Sequence, residues 1–284
     1  MKMRRILPFP AVLAVLSVAV SAQPAPPPVA PAAAPILPEY SQYARLVLAA
    51  PVIVDATIRD AARVDSRRVT GIPAGFARFY VTADIASLIR SPSTLPARLS
   101  WLVDVPLDAR GRAPRLERQR VLAFARTLPG RPAELQLVFP DAQQPWSAGA
   151  DARTRAIAQE AVAPSAPPVV TGVGNAFHVA GTLPGEGETQ IFLPTADNRP
   201  VSLSIISRPG MAKSFTVALS EIVDEAAAAP ARDTLLWYRL ACYLPPELPA
   251  SSVAASSPEA AAAARSDYRF VIEALGPCPV RAAP

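Results

Sequence analysis

Proline placement constrains this chain more than any other feature. It has 34 prolines in 284 residues. They cluster in Gln23–Pro38 and in Ala163–Pro168, and neither stretch can run as helix or pair as an inner strand. The first reads as an extended tether and the second as a linker. Between and beyond them lie two stretches, 39–163 and 169–284, each long enough for a modest domain. The residues ahead of the tether predict an address. Lys2, Arg4 and Arg5 precede a largely apolar run, Ala11–Val20, and Val20-Ser21-Ala22 offers small residues for cleavage. Residues 1–22 therefore read as a secretory signal peptide, and Gln23 after the cut gives no lipid anchor. The expected location is periplasmic or secreted, with no transmembrane segment.

Charge is divided unevenly. Residues 39–163 hold 17 arginines against 12 acids, and residues 169–284 hold 8 basic residues against 11 acids. Such asymmetry suits contact between the halves or with different partners. Lysine occurs only at 2 and 213, so the arginine richness, together with high Ala and Pro, reflects base composition rather than nucleic-acid binding.

Alternating apolar positions predict five strands in the first stretch. Val52, Val54, Ala56 and Ile58 share one face. A long run over Phe76–Ile89 slips phase near Ser87–Leu88, which predicts a bulge. Leu99, Trp101, Val103 and Val105 alternate against Ser100 and Asp104, and Arg120–Arg126 and Glu134–Phe139 complete the set. Helices are predicted at Glu39–Ala49, ended by Pro51, and at Asp151–Val162. Five strands with a long bent second one suit a small closed barrel. This order, ending in Arg120-Val-Leu-Ala-Phe-Ala, resembles the netrin/tissue-inhibitor-type OB-fold over about residues 39–140. Amino-terminal cysteines often serve that family's inhibitory activity, and none occurs here before Cys242.

The second stretch reads as β-rich with two helices and a final strand. Val169–Gly181, Glu188–Pro194, Pro200–Ser207 and Ser214–Asp224 are strand candidates. Asp233 is placed as the cap of a helix over Thr234–Leu244, and Ser257-Pro258-Glu259 opens another. Tyr268, Phe270 and Ile272 alternate, so Tyr268–Leu275 is assigned as strand. The fold class is mainly β with some helix: a five-stranded OB-like barrel, then a β-rich α+β domain.

Candidate sites are few. Arg110, Arg112, Arg115, Arg118 and Arg120 crowd one loop with a single Glu, and clustered guanidinium groups suit phosphate or carboxylate partners. Glu186 and Glu188 flank a glycine in a turn and are the candidate carboxylate pair. His178 is the sole histidine; mid-strand, it is expected to make one hydrogen bond. Cys242 and Cys278 are expected to form a disulfide, worth about 4 kcal/mol in the chain-entropy picture. Arg239 sits in a helix apolar on nearly every face, so it needs an acid, with Glu221, Asp224 or Glu225 the candidates. No catalytic residue, metal or cofactor is assigned. The functional expectation is a non-catalytic binding or scaffold protein whose partner is an envelope component or a protein, with an anionic ligand in view and no nucleic acid. The rivals are a glycan-directed hydrolase using acids such as Glu186, Glu188 or Asp224, and an inhibitor of an envelope enzyme. Oligomeric state is left open.

Overall fold

A computed structural model describes residues 39–67, 69–219 and 228–279. The signal peptide and tether assignments, residues 1–38, lie outside them. Helix α1 (Tyr40–Ala49) buries Tyr40, Tyr43, Ala44, Leu46 and Val47, a helical spacing that puts one apolar stripe inward. Pro51 ends it, because the residue before a proline is driven out of the helical region.

Strands β1 (Val52–Arg63) and β2 (Phe76–Arg90) form a long antiparallel hairpin. Its register slips at Ile53/Val54, Asp55/Ala56 and Ile58/Asp60. The first two slips leave Ile89 and Ala86 of β2 without a facing residue, beside the Ser87–Leu88 position where the alternation breaks. Such bulges bend and twist a strand, and the bend frees Val52–Thr57 to pair on their other side with β4 (Arg120–Leu128). Strands β3 (Arg98–Pro106) and β5 (Arg131–Leu137) complete a ring, β1-β2-β3-β5-β4 and back to β1. This is a closed five-stranded barrel of OB-like form. The short β6 (Gln143–Pro145), which alternation alone does not reveal, extends the sheet beside β4.

Inward-facing Val54, Ala56, Ile58, Val81, Ala83, Leu99, Trp101, Val103 and Leu135 fill the barrel. Trp101 donates its indole N–H to Gln143 Oε1 at 2.8 Å, giving the buried ring's polar edge the partner it needs. Helix α2 (Ala148–Val162) follows and starts earlier than its apolar pattern suggests, because Ser147 caps it by accepting from Ala150 N.

The second half opens on a four-stranded antiparallel meander: β7 (Ala176–Ala180), β8 (Gly187–Leu193), β9 (Val201–Ser207) and β10 (Ser214–Ala218). The expected strand from Val169 shrinks to β7, with an isolated bridge from Val170 to Thr195. Its first part instead follows the end of β8 through single bonds, Thr171 N to Pro194 O and Gly174 N to Phe192 O. Helix α3 (Leu235–Ala241) is capped by Thr234, whose hydroxyl accepts from Trp237 N, not by Asp233, which takes a positive φ of 62°.

The predicted final strand is corrected. Residues 268–275 continue helix α4 (Pro258–Leu275), which Ser257 caps as expected. Ala261, Ala264, Tyr268, Val271 and Leu275 are its buried stripe, at three- and four-residue spacing. No breaker occurs before Gly276, so helical register outweighs the local alternation of Tyr268, Phe270 and Ile272.

Helix α4 packs on β7 and β8. Its core draws α1, α2, α3 and the inner face of the meander together, through Tyr43, Leu46, Ile157, Ile191, Leu203, Trp237, Tyr238 and Tyr268. The linker at 164–168 thus joins two stretches that share a core, and the described residues fall in one compact unit. Cys242, at the end of α3, is bonded to Cys278, just past α4, with Cα atoms 5.2 Å apart. Arg239 is 8% exposed; its expected partners Glu221, Asp224 and Glu225 lie outside the described residues. No helix among the described residues is long and apolar enough to cross a membrane.

Candidate functional site

The five arginines of the 110–120 loop have different partners. Arg120 donates through Nε and Nη2 to Asp55, at 2.8 and 2.6 Å, and its guanidinium stacks 3.8 Å from the Trp146 ring centre. Arg112 donates to Asp108, whose carboxylate also accepts the backbone N–H groups of Arg112 and Arg110. Those bonds, the Arg112 backbone bond foremost, hold the Asp108 carboxyl below its ordinary range. Arg115 lies 3.8 Å from Glu117. Arg118 takes a φ of 67° and is held by its backbone, which donates to Ile58 O, while its neighbour Leu116 anchors the loop in the barrel core. Arg110 and Arg118 are left as the loop's guanidinium groups without an ion pair among the described residues.

Glu186 and Glu188 have separate tasks. Glu186 Oε2 accepts from the backbone of Thr182 and Leu183 at 3.1 and 3.3 Å, which closes the β7–β8 turn. Glu188 Oε1 accepts from Ser204 Oγ across the meander at 2.8 Å. Among the described residues no group of three or more His, Cys, Asp or Glu could hold a metal ion.

His178 joins a network centred on Asp267, a residue that no sequence motif marks. Its Nδ1 lies 2.8 Å from Thr189 Oγ1, and Thr189 donates in turn to Asp267. Because the hydroxyl proton goes to the carboxylate, Nδ1 carries the hydrogen that reaches Thr189. Lys213 donates to the other oxygen of Asp267 at 2.5 Å. Asp267 is 4% exposed on α4, so Thr189 and Lys213 together satisfy a buried carboxylate and pin that helix to the meander. In sequence it hides within the helix that the alternation of residues 268–275 obscured.

An open groove of about 590 Å³ lies on the outside of the barrel, where β3 and β5 meet. It exists because these strands pair in parallel at only two positions, Ser100 with Glu134 and Trp101 with Leu135, and then part. The odd-numbered residues of β3 point into the core, so Ser100, Leu102 and Asp104 point outward. Leu102 is 49% exposed and faces Tyr80 on β2, which is 39% exposed. An ion pair stands on each rim. Arg78 donates to both oxygens of Asp104 at 2.6 and 2.7 Å and to Gly71 O at 3.1 Å. The Asp104 hydrogen bonds raise the Arg78 guanidinium above its ordinary pKa. Arg131 donates to Glu134 at 2.9 Å. The groove therefore presents an apolar floor between internally matched charges. Sequence reasoning placed Ser100 and Asp104 outward but passed over Leu102 and Tyr80; an aromatic and a leucine at outward positions of neighbouring strands was the available signal. Comparison with protein-family models and with curated proteins finds no match for this chain.

Proposed function

We propose that this is a non-catalytic binding or scaffold protein of the cell envelope, periplasmic or secreted, whose recognition surface is the groove between β3 and β5. The carrying observation is the exposed Tyr80–Leu102 pair set between the Arg78–Asp104 and Arg131–Glu134 ion pairs. Exposed apolar contact area with pre-oriented polar rims is the composition of a recognition site. The two carboxylates in the groove are each held by an arginine, which favours recognition over acid–base chemistry. The hydrolase alternative loses support from the structural duties of Glu186 and Glu188, and Asp224 lies outside the described residues. The inhibitor alternative rests on the netrin/tissue-inhibitor resemblance, for which the barrel's strand order is the sole support.

Capture from native envelope extract tests this reading. Immobilised chain from Gln23 onward should retain an envelope component, and the Leu102→Asp variant should lose it with an unchanged melting temperature. Equal retention by both proteins would remove the groove from the account.

A further inference from the structure

We infer that the groove is a strand-addition slot, and that its occupant is an uncharged, extended segment of a partner polypeptide; this rests on the groove being the recognition surface. Backbone phase decides which groups face the groove. Ile85 N donates to Ala97 O at 2.9 Å, and Leu107 N to Gly75 O at 2.8 Å, at the two ends of the β2–β3 ladder. With the register of that ladder, these bonds assign the odd-numbered residues of β3 to β2. The even-numbered residues turn their N–H and C=O toward β5. On β5 the bond from Val138 N to Phe124 O fixes the opposite side in the same way. Gln136 is turned to β4, and Leu135 and Leu137 are turned to β3.

Pairing between β3 and β5 ends at Trp101 and Leu135. Beyond it, the Leu102 carbonyl and both backbone groups of Asp104 face the groove, and so does the backbone of Leu137. The β3–β5 ladder reaches none of them. Pro106, which has no N–H to offer, ends the free stretch. Unpaired strand edges of this kind template the addition of another strand.

The side chains select the occupant. A strand laid along β3 places alternate side chains on Leu102 and Tyr80. Arg78, Asp104, Arg131 and Glu134 satisfy one another, so the groove offers no unmatched charge to an acidic or basic segment. The chain's own residues 23–38 are a poor occupant, because their prolines lack the N–H that the Leu102 and Asp104 carbonyls require. A glycan would draw on the rim side chains and leave the backbone edge unanswered.

Hydrogen–deuterium exchange and calorimetry on the chain from Gln23 onward test the slot. The probes are a synthetic peptide of alternating Thr and Val, the same peptide methylated on alternate amides, and chitohexaose. The plain peptide should bind and slow exchange at the Asp104 and Leu137 amides, and the methylated one should not bind. Asp104→Pro removes the edge N–H, at a position where it points away from β2, and should weaken peptide binding about ten-fold, the scale of one hydrogen bond. Asp104→Asn keeps the N–H, loses the ion pair and should bind within about three-fold of the parent, less than a hydrogen bond's worth. Melting temperatures check that both variants fold. Peptide binding without protection at those amides, equal binding by the Asp104→Pro variant, binding of chitohexaose alone, or no peptide binding would each overturn the proposal. If the peptide fails while position 102 still contacts an envelope component in cells, the peptide class falls and the groove stands. If both fail, both readings fall.

Discussion

Arg120 joins the fourth strand of the barrel to the first by gripping the buried carboxylate of Asp55 through two hydrogen bonds, with the Trp146 ring against its guanidinium face. The last arginine of a loop that resembles an anion site is thus part of the barrel's closure. Removing it leaves a buried carboxylate without its cation, which is costly. Arg120→Ala should lower the melting temperature by several degrees, and Arg112→Ala, at an exposed pair, by little or nothing. Thermal unfolding of the two variants checks this; equal effects would contradict it.

Asp267 holds the meander to α4 through Thr189 and Lys213. Thr189→Val keeps the side-chain shape and removes both the hydrogen bond donated to the buried Asp267 and the one accepted from His178, and should cost about 1–3 kcal/mol. Lys213→Met leaves that buried carboxylate without its cation and should cost more than Thr189→Val. Denaturant unfolding gives both numbers, and a larger loss for Thr189→Val would reverse the assignment of the main partner.

The disulfide closes a loop with a sequence separation of 36 residues. The Cys242→Ala/Cys278→Ala double variant should lose about 2–4 kcal/mol. Local exchange should rise most over α3, α4 and the segment between them, since the bond fastens the far ends of those helices. Uniform loosening that includes the barrel would contradict this.

Acid and alkaline stability have different sources. The side-chain hydrogen bonds from Arg98 and Arg59 hold the Asp84 carboxyl below its ordinary value, and those from Arg199 do the same for Asp197. A depressed carboxyl contributes stability above the unfolded pKa, about 3.9, and loses it as pH falls through the folded value. At the other end, burial, with Glu160 beside it, raises the Tyr40 hydroxyl. Burial also raises Tyr238. A raised phenol contributes stability below its unfolded pKa of about 10 and loses it as pH climbs further. Asp84→Asn should flatten the acid limb of a melting-temperature profile below about pH 4. Tyr40→Phe should flatten the alkaline limb.

Most of the barrel was legible because β2 and β3 keep one wet face, where a period of two shows through, while Val52–Ala56 of β1 and Val121–Ala125 of β4 are buried on both faces and stand out as short apolar runs. The bulge near Ser87–Leu88 was visible as a slip in that period. Residues 268–275 misled because Tyr268, Phe270 and Ile272 alternate over a window too short to separate from a helical stripe, which becomes clear only with Ala261 and Ala264 included. The site was less legible than the fold. The arginine run reads as a cationic cluster until Asp55 is brought beside Arg120 from 65 residues away, and a partner so distant in sequence leaves no local trace; Asp108, four residues before Arg112, was within local reach. The groove follows from where β3 and β5 stop pairing, a property of register between strands about which neither strand's own sequence is informative.

Cross-linking in the intact envelope tests the central claim most directly. A photoreactive amino acid at Leu102, in the groove, is compared with one at Val179, which is 69% exposed on the meander. Position 102 should give a discrete adduct and position 179 none. An adduct from 179 alone, or identical adducts from both, would contradict the groove as the recognition surface.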